Sequence, residues 1–222
     1  MPDSRYLRDS LLLGLAIGVF GASFGVLATT AGLSVGKACA MSLLVFTGGS
    51  QFAAVGVLQA GGSLAAAFSS ALLLAARNAA YGLTLAPTLG RLRGVPRFVA
   101  AHLVIDESTA MATAQPNRED AARAFWATGL SVFVCWNLGT LGGALAGSAL
   151  GDPGALGLDA AFPAGFIALV APHLRHRRGQ VAALSGALIA LVLIPLTPPG
   201  VPIVAATAAV IPALLFGPEV QT

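Results

Sequence analysis

The chain of 222 residues is 56% hydrophobic and 9% charged, with a mean hydropathy of +0.83. Soluble domains carry about a quarter charged residues, so this composition excludes a soluble globular domain and points to an integral membrane protein. The net charge of +3 comes from arginines gathered in a few short segments, a pattern that sets membrane topology; no nucleic-acid-binding motif accompanies it.

Long uncharged runs, notably Ala38–Ala76 and Gly179–Pro218, lie between the basic clusters. A spanning helix needs about 20 residues, so each run has room for two. Strand-type alternation is absent and the runs are rich in Ala, Leu and Gly. The expected fold is therefore an all-α polytopic bundle forming one domain over residues 1–222.

In chain order, apolar segments are expected at 10–31, 38–60, 63–87, 98–114, 124–150, 154–174, 180–197 and 201–217. Leu11–Ala31 is too long for a signal-peptide core and lacks a small-residue exit site, so no cleavable leader is expected. Its glycines, Gly14, Gly18, Gly21 and Gly25, make the first helix thin; Gly139 and Gly143 do the same in the fifth segment, which also carries Asn137 and Thr140. Such spacings let helices approach closely. Cys39 and Cys135 fall in apolar sequence and read as small buried hydrophobes rather than a disulfide or metal pair.

The second segment holds Thr47, Gly48, Gly49, Ser50 and Gln51 in a row. If the helix breaks there, the half-helix starting near Ser50 presents free backbone N–H groups, suited to a carboxylate. The competing reading is a small-residue packing face. The third segment contains Arg77, Asn78 and Tyr81, and the short fourth contains His102, Asp106 and Glu107. Charges at membrane depth are costly and persist when they pair or line a polar path. One arginine neutralises one carboxylate. The carboxylate left over can exchange a proton or meet a substrate cation. The bland alternative is an ion pair that only locks helices together. A further alternative, an intramembrane serine hydrolase, would need a hydrogen bond between Ser50 and His102. A non-transporting scaffold subunit would use the charges structurally.

Placing both basic clusters, RLRGVPR and RHRR, in the cytoplasm favours a re-entrant or broken fourth segment. About seven full crossings and an external N-terminus follow. Trp126, beside the Arg118–Arg123 loop, reads as an interface anchor. Ala75–Gly94 also resembles Ala160–Gly179, sharing AP-x-L and a terminal RG. Internal duplication is common in transporters, whose substrate sites lie between repeats; two similar helix exits would give the same match.

Taken together, ASFGVLATTAGLS (Ala22–Ser34), VFTGGSQFAAVGVL (Val45–Leu58), RNAAYGLTLAP (Arg77–Pro87), DESTA (Asp106–Ala110) and WNLGTLGGALAG (Trp136–Gly147) resemble the AzlC-like branched-chain amino-acid permease family over nearly the whole chain. The resemblance implies an inner-membrane exporter of branched-chain amino acids, without enzymatic activity or cofactor, working with a small AzlD-like membrane subunit. Gly48, Gly49, Ser50, Gln51, Phe52, Arg77, Tyr81, Asp106 and Glu107 match the family's motifs; with the breakable segment and the acidic pair, the expected substrate-binding residues are Thr47, Gly48, Gly49, Ser50, Gln51, Phe52 and Tyr81, and the expected coupling or ion-pair residues are Arg77, Asp106 and Glu107. The sequence departs from the family pattern at Val19, where proline is frequent, at Thr47, where alanine is frequent, and at Thr109, where an aromatic residue is usual. Thr109 leaves the substrate side chain open.

Overall fold

Residues 5–149 and 173–216, with Ile167, Val170 and Ala171, are described in the computed structural model. Two long helices form the spine. α1 (Arg5–Thr30) and α8 (Arg118–Ala149) are the two described helices long and apolar enough to cross a membrane. Four interior glycines should weaken α1 by up to ~1 kcal/mol each relative to alanine. They persist because they are where α8 lies. A Cβ on Gly18 would meet the backbone of Cys135, one on Gly21 that of Trp136, and one on Gly25 those of Thr140, Gly143 and Ala144. From the other side, Gly139 faces Gly18 and Ala22, Gly143 faces Ala22, and Gly147 faces Val26 and Thr29. The small-residue stripes of both helices interlock, and a buried Ser10–Thr128 hydrogen bond of 2.7 Å closes one end.

These pairs rise together along both chains, so α1 and α8 run parallel. An odd number of crossings must then separate them. The expected arrangement, with second and third segments crossing and a re-entrant fourth, gives an even number and makes the two helices antiparallel. The packing of α1 on α8 excludes it. One consequence is direct: with Cys39 and Cys135 replaced by alanine, single cysteines at Arg8 and Glu119 should react with an impermeant thiol reagent from the same membrane face, and one at Lys37 from the other. Labelling of positions 8 and 119 from opposite faces would contradict the parallel spine.

Between the spine helices the chain makes three interrupted segments. α2 (Val35–Leu44) and α3 (Gly49–Gln59) replace the single expected segment 38–60. α4 (Leu64–Ala75) and α5 (Arg77–Leu89) replace 63–87, with the interruption at Ala76. α6 (Val95–His102) and α7 (Asp106–Thr113) replace 98–114, which is indeed broken. Local chemistry sets the ends. Ser34 and Ser63 cap α2 and α4 by accepting from the N–H of Lys37 and Ala66. Gly48 turns at φ +60°, a conformation that favours glycine, and starts α3 abruptly. Ile105 is extended, and Ser108, three residues on, accepts its N–H at 3.1 Å and donates to the carbonyl of Leu103 at 2.6 Å.

The C-terminal part comprises α9 (Arg177–Leu193), α10 (Val201–Ala206) and α11 (Val210–Phe216). It joins the rest through α10 on α4, where Gly200 abuts Ala66 and Val57. The expected segment at 154–174, Asp159 and most of the second repeat copy lie outside the described residues. Both cysteines are free.

Candidate functional site

The three interruptions put polar groups where continuous helices would bury them. At the first, Gln51 is completely buried and spans the gap: its Oε1 accepts from the N–H of Gly48 at 3.1 Å, and its Nε2 donates to the carbonyl of Met41 at 3.1 Å. An amide side chain can supply both a donor and an acceptor, so one glutamine satisfies backbone on both sides of the break. Thr47 and Ser50 pair hydroxyl to hydroxyl. Among the described residues, the N–H groups of Gly49 and Ser50 then remain at the head of α3 without a backbone or side-chain acceptor. Four such donors are left over at any helix start, and they carry the positive end of its dipole.

Arg77, the first residue of α5, stands over this helix start: a Cβ on Gly49 would lie 3.3 Å from its Nη2 and 3.6 Å from its Nη1. The same Nη2 donates to Asp106 Oδ2 at 2.7 Å. Tyr81, one turn along α5, donates its hydroxyl to Asp106 Oδ1 at 2.5 Å. Asp106 heads α7, where a helix N-terminus also favours a carboxylate. Both oxygens of Asp106 are thus engaged, by two side chains from one helix. Glu107 shares its turn but has neither partner. Among the described residues, the buried Arg77 Nε has no acceptor. The arrangement is a positively charged floor, made of Arg77 and the α3 N-terminus, beside one satisfied carboxylate and one left over.

Aromatic residues flank the breaks in two groups. Phe46, at the first break, packs against His102 and Phe133 with ring centroids at 5.9 and 5.1 Å. Phe52 packs against Phe24 and Trp136 at 5.7 and 6.0 Å. His102 therefore stands among rings, and the Ser50–His102 bond that a serine hydrolase requires is not formed. Behind the first break, Ser42 donates to Asn137 Oδ1 at 2.7 Å and pairs with the Thr140 hydroxyl at 3.1 Å, joining α2 to α8. Asn137 and Thr140 stood out in the sequence; Ser42 did not, because a serine in an apolar helix usually bonds to its own backbone.

Two membrane-length helices and paired half-helices, with an ion pair held where two of the half-helices begin, fit a multi-helix integral membrane protein. The chain belongs to the AzlC family: the family model described as "AzlC protein" matches residues 13–150. The chain is 30% identical over 195 residues, 84% of it and 80% of the relative, to the inner membrane protein YgaZ of Escherichia coli. It is 28% identical over 189 residues, 84% of it and 81% of the relative, to an uncharacterized membrane protein of Helicobacter pylori. No solved structure matches it. The protein is placed in the inner membrane, and neither relative carries an enzyme's name.

Proposed function

We propose that the protein is a secondary transporter that exports branched-chain or other small apolar amino acids across the inner membrane. The observation that carries this reading is the meeting of Arg77 with the start of α3 and with Asp106, which sets anion- and cation-binding groups side by side at three helix breaks. A free amino acid is a zwitterion and needs both. Its carboxylate would sit on the N–H groups of Gly49 and Ser50, with Gln51 and the Thr47–Ser50 pair holding Gly48 and the break in shape. Its ammonium would meet Glu107, the carboxylate that Arg77 does not neutralise. Tyr81 would hold Asp106, and Phe52 would wall the side chain. Proton exchange at Glu107 would couple the cycle. A small AzlD-like membrane subunit would be the partner.

The parallel spine supports a revised topology in which all three broken segments cross. Arg5, Arg8, Arg118 and Arg123 then share one face, and Lys37, Arg91, Arg93 and Arg97 share the other, so the positive-inside rule does not choose between the two orientations. The scaffold reading would leave the half-satisfied charge cluster without a task.

The test is efflux of preloaded labelled leucine and valine from cells, with and without the chain and the small subunit. Glu107→Gln should lower efflux at least ~10-fold, the scale of losing one charge-assisted contact, while the protein stays folded in the membrane. Unchanged efflux would remove Glu107 from the mechanism.

A further inference from the structure

The acidic residues of this chain are unevenly placed. None occurs between Asp9 and Asp106. Where α1 and α8 begin, arginines find carboxylates close by: Arg8 pairs with Asp9 at 3.2 Å, and Arg123 pairs with Glu119 and Asp120. The loop between α5 and α6 has no such supply. Arg91, Arg93 and Arg97 are exposed, and among the described residues none of them meets a carboxylate. Asp106, the first acidic residue after them, is already held by Arg77 and Tyr81.

Apolar side chains alternate with these arginines. Leu92 packs on the core and fixes the loop between Arg91 and Arg93. Val95, Phe98 and Val99 share one face of α6 by their i, i+3, i+4 spacing and are 74%, 77% and 40% exposed. Ala100 is the one buried residue of α6, so packing against the protein does little to hold this helix. Yet α6 leads straight into the buried stretch Leu103–Ile105 and on to Asp106.

The loop joins two apolar segments and so lies where the bilayer ends. A soluble anion would satisfy the arginines and leave the apolar face bare. An apolar protein surface would cover that face and leave the charge unmatched. A phospholipid with net negative charge answers both, with its headgroup beside the arginines and its acyl chains against the apolar face. We propose that Arg91, Arg93 and Arg97 bind the headgroup of an anionic phospholipid whose acyl chains lie along Val95, Phe98 and Val99. The bound lipid braces α6 from the side that the protein leaves open. The site is independent of what the chain transports.

Thermal unfolding of the purified full chain in neutral detergent decides it, with phosphatidylglycerol or phosphatidylcholine of the same acyl chains added. Each arginine near an anionic surface strengthens binding about fivefold, so the three together give about 100-fold. At saturating lipid, phosphatidylglycerol should then raise Tm by roughly 5 °C more than phosphatidylcholine. Replacing Arg91, Arg93 and Arg97 together by glutamine should erase that difference, whereas Arg8→Gln with Arg123→Gln should keep it. Equal shifts from the two lipids, or a triple variant that keeps the difference, overturn the proposal. So does a shift matched by inorganic phosphate, which would make the patch a free-anion site, or by a soluble acidic peptide, which would assign it to a protein partner. Should the triple variant fail to fold, the three single variants serve instead: each should lose about a third of the difference, and no loss in any of them overturns the site.

Discussion

Replacing Gly143 by valine should abolish the folded protein, whereas the same replacement at its neighbour Gly142 should be tolerated. A Cβ on Gly143 would drive into the backbone of Ala22, carbonyl oxygen included, while one on Gly142 would meet nothing within 4 Å. The obstacle is backbone on a facing helix, so no side-chain rotation relieves it. α1 and α8 would have to separate, and the contacts of Gly139 with Gly18 and of Gly147 with Val26 would be lost along with it. Overpacking of an ordinary core costs about 1–3 kcal/mol; here a shared seam opens, and the cost should reach or exceed the top of that range. Size-exclusion profiles and thermal unfolding of the purified variants in detergent would show it. A Gly143→Val protein that elutes and melts like the wild type would mean that the two helices do not touch along this stripe. Gly142→Ala should be neutral or slightly stabilising, because alanine is the better helix former by up to ~1 kcal/mol.

That contrast marks how far the sequence could be read. The glycine spacings on both helices were visible, and so was their meaning as packing faces. What they packed against was not, since Gly18 and Cys135 are far apart in the chain and every long helix here carries small residues. The same limit produced the topology error. Arginine counts weigh loops by charge, but RLRGVPR and RHRR cannot both outvote a helix pair whose direction is fixed by backbone contact. The break at Thr47–Gly48 was legible because glycine at positive φ and a Gln three residues on are local signals. The interruption at Ala76 was not, because alanine is the best helix former and gives no sign. The extended Leu103–Ile105 stretch is also apolar, and its end is set by Ser108, an unremarkable residue by composition. Within the candidate site, the residue types were readable. Their assignment was not: that Arg77 takes Asp106 rather than Glu107 depends on which face of α7 turns toward α5.

The Arg77–Asp106 pair should behave as a unit in stability and as two separate parts in transport. Each side chain is 32% exposed, so solvent screening reduces the pair below a fully buried bridge. Breaking a buried pair from one side costs about 3–5 kcal/mol, because the remaining charge is left without a partner; for this pair roughly half of that is expected. Arg77→Gln strands Asp106 with Tyr81 alone. Asp106→Asn keeps an acceptor for Tyr81 and leaves Arg77 free over Gly49. The double variant removes both charges, so its melting temperature should lie above that of Arg77→Gln, and the cycle should show a coupling of about 1–2 kcal/mol. Additive losses would mean that the bridge contributes nothing to folding. Efflux should respond differently. If Arg77 forms the positive floor under a substrate carboxylate, the double variant recovers stability without recovering transport. If the bridge merely fastens α5 to α7, transport returns with stability. A scaffold and a transporter are thereby separated by one set of four proteins, because neutralising both charges repairs a structural lock but cannot restore the binding of a zwitterion.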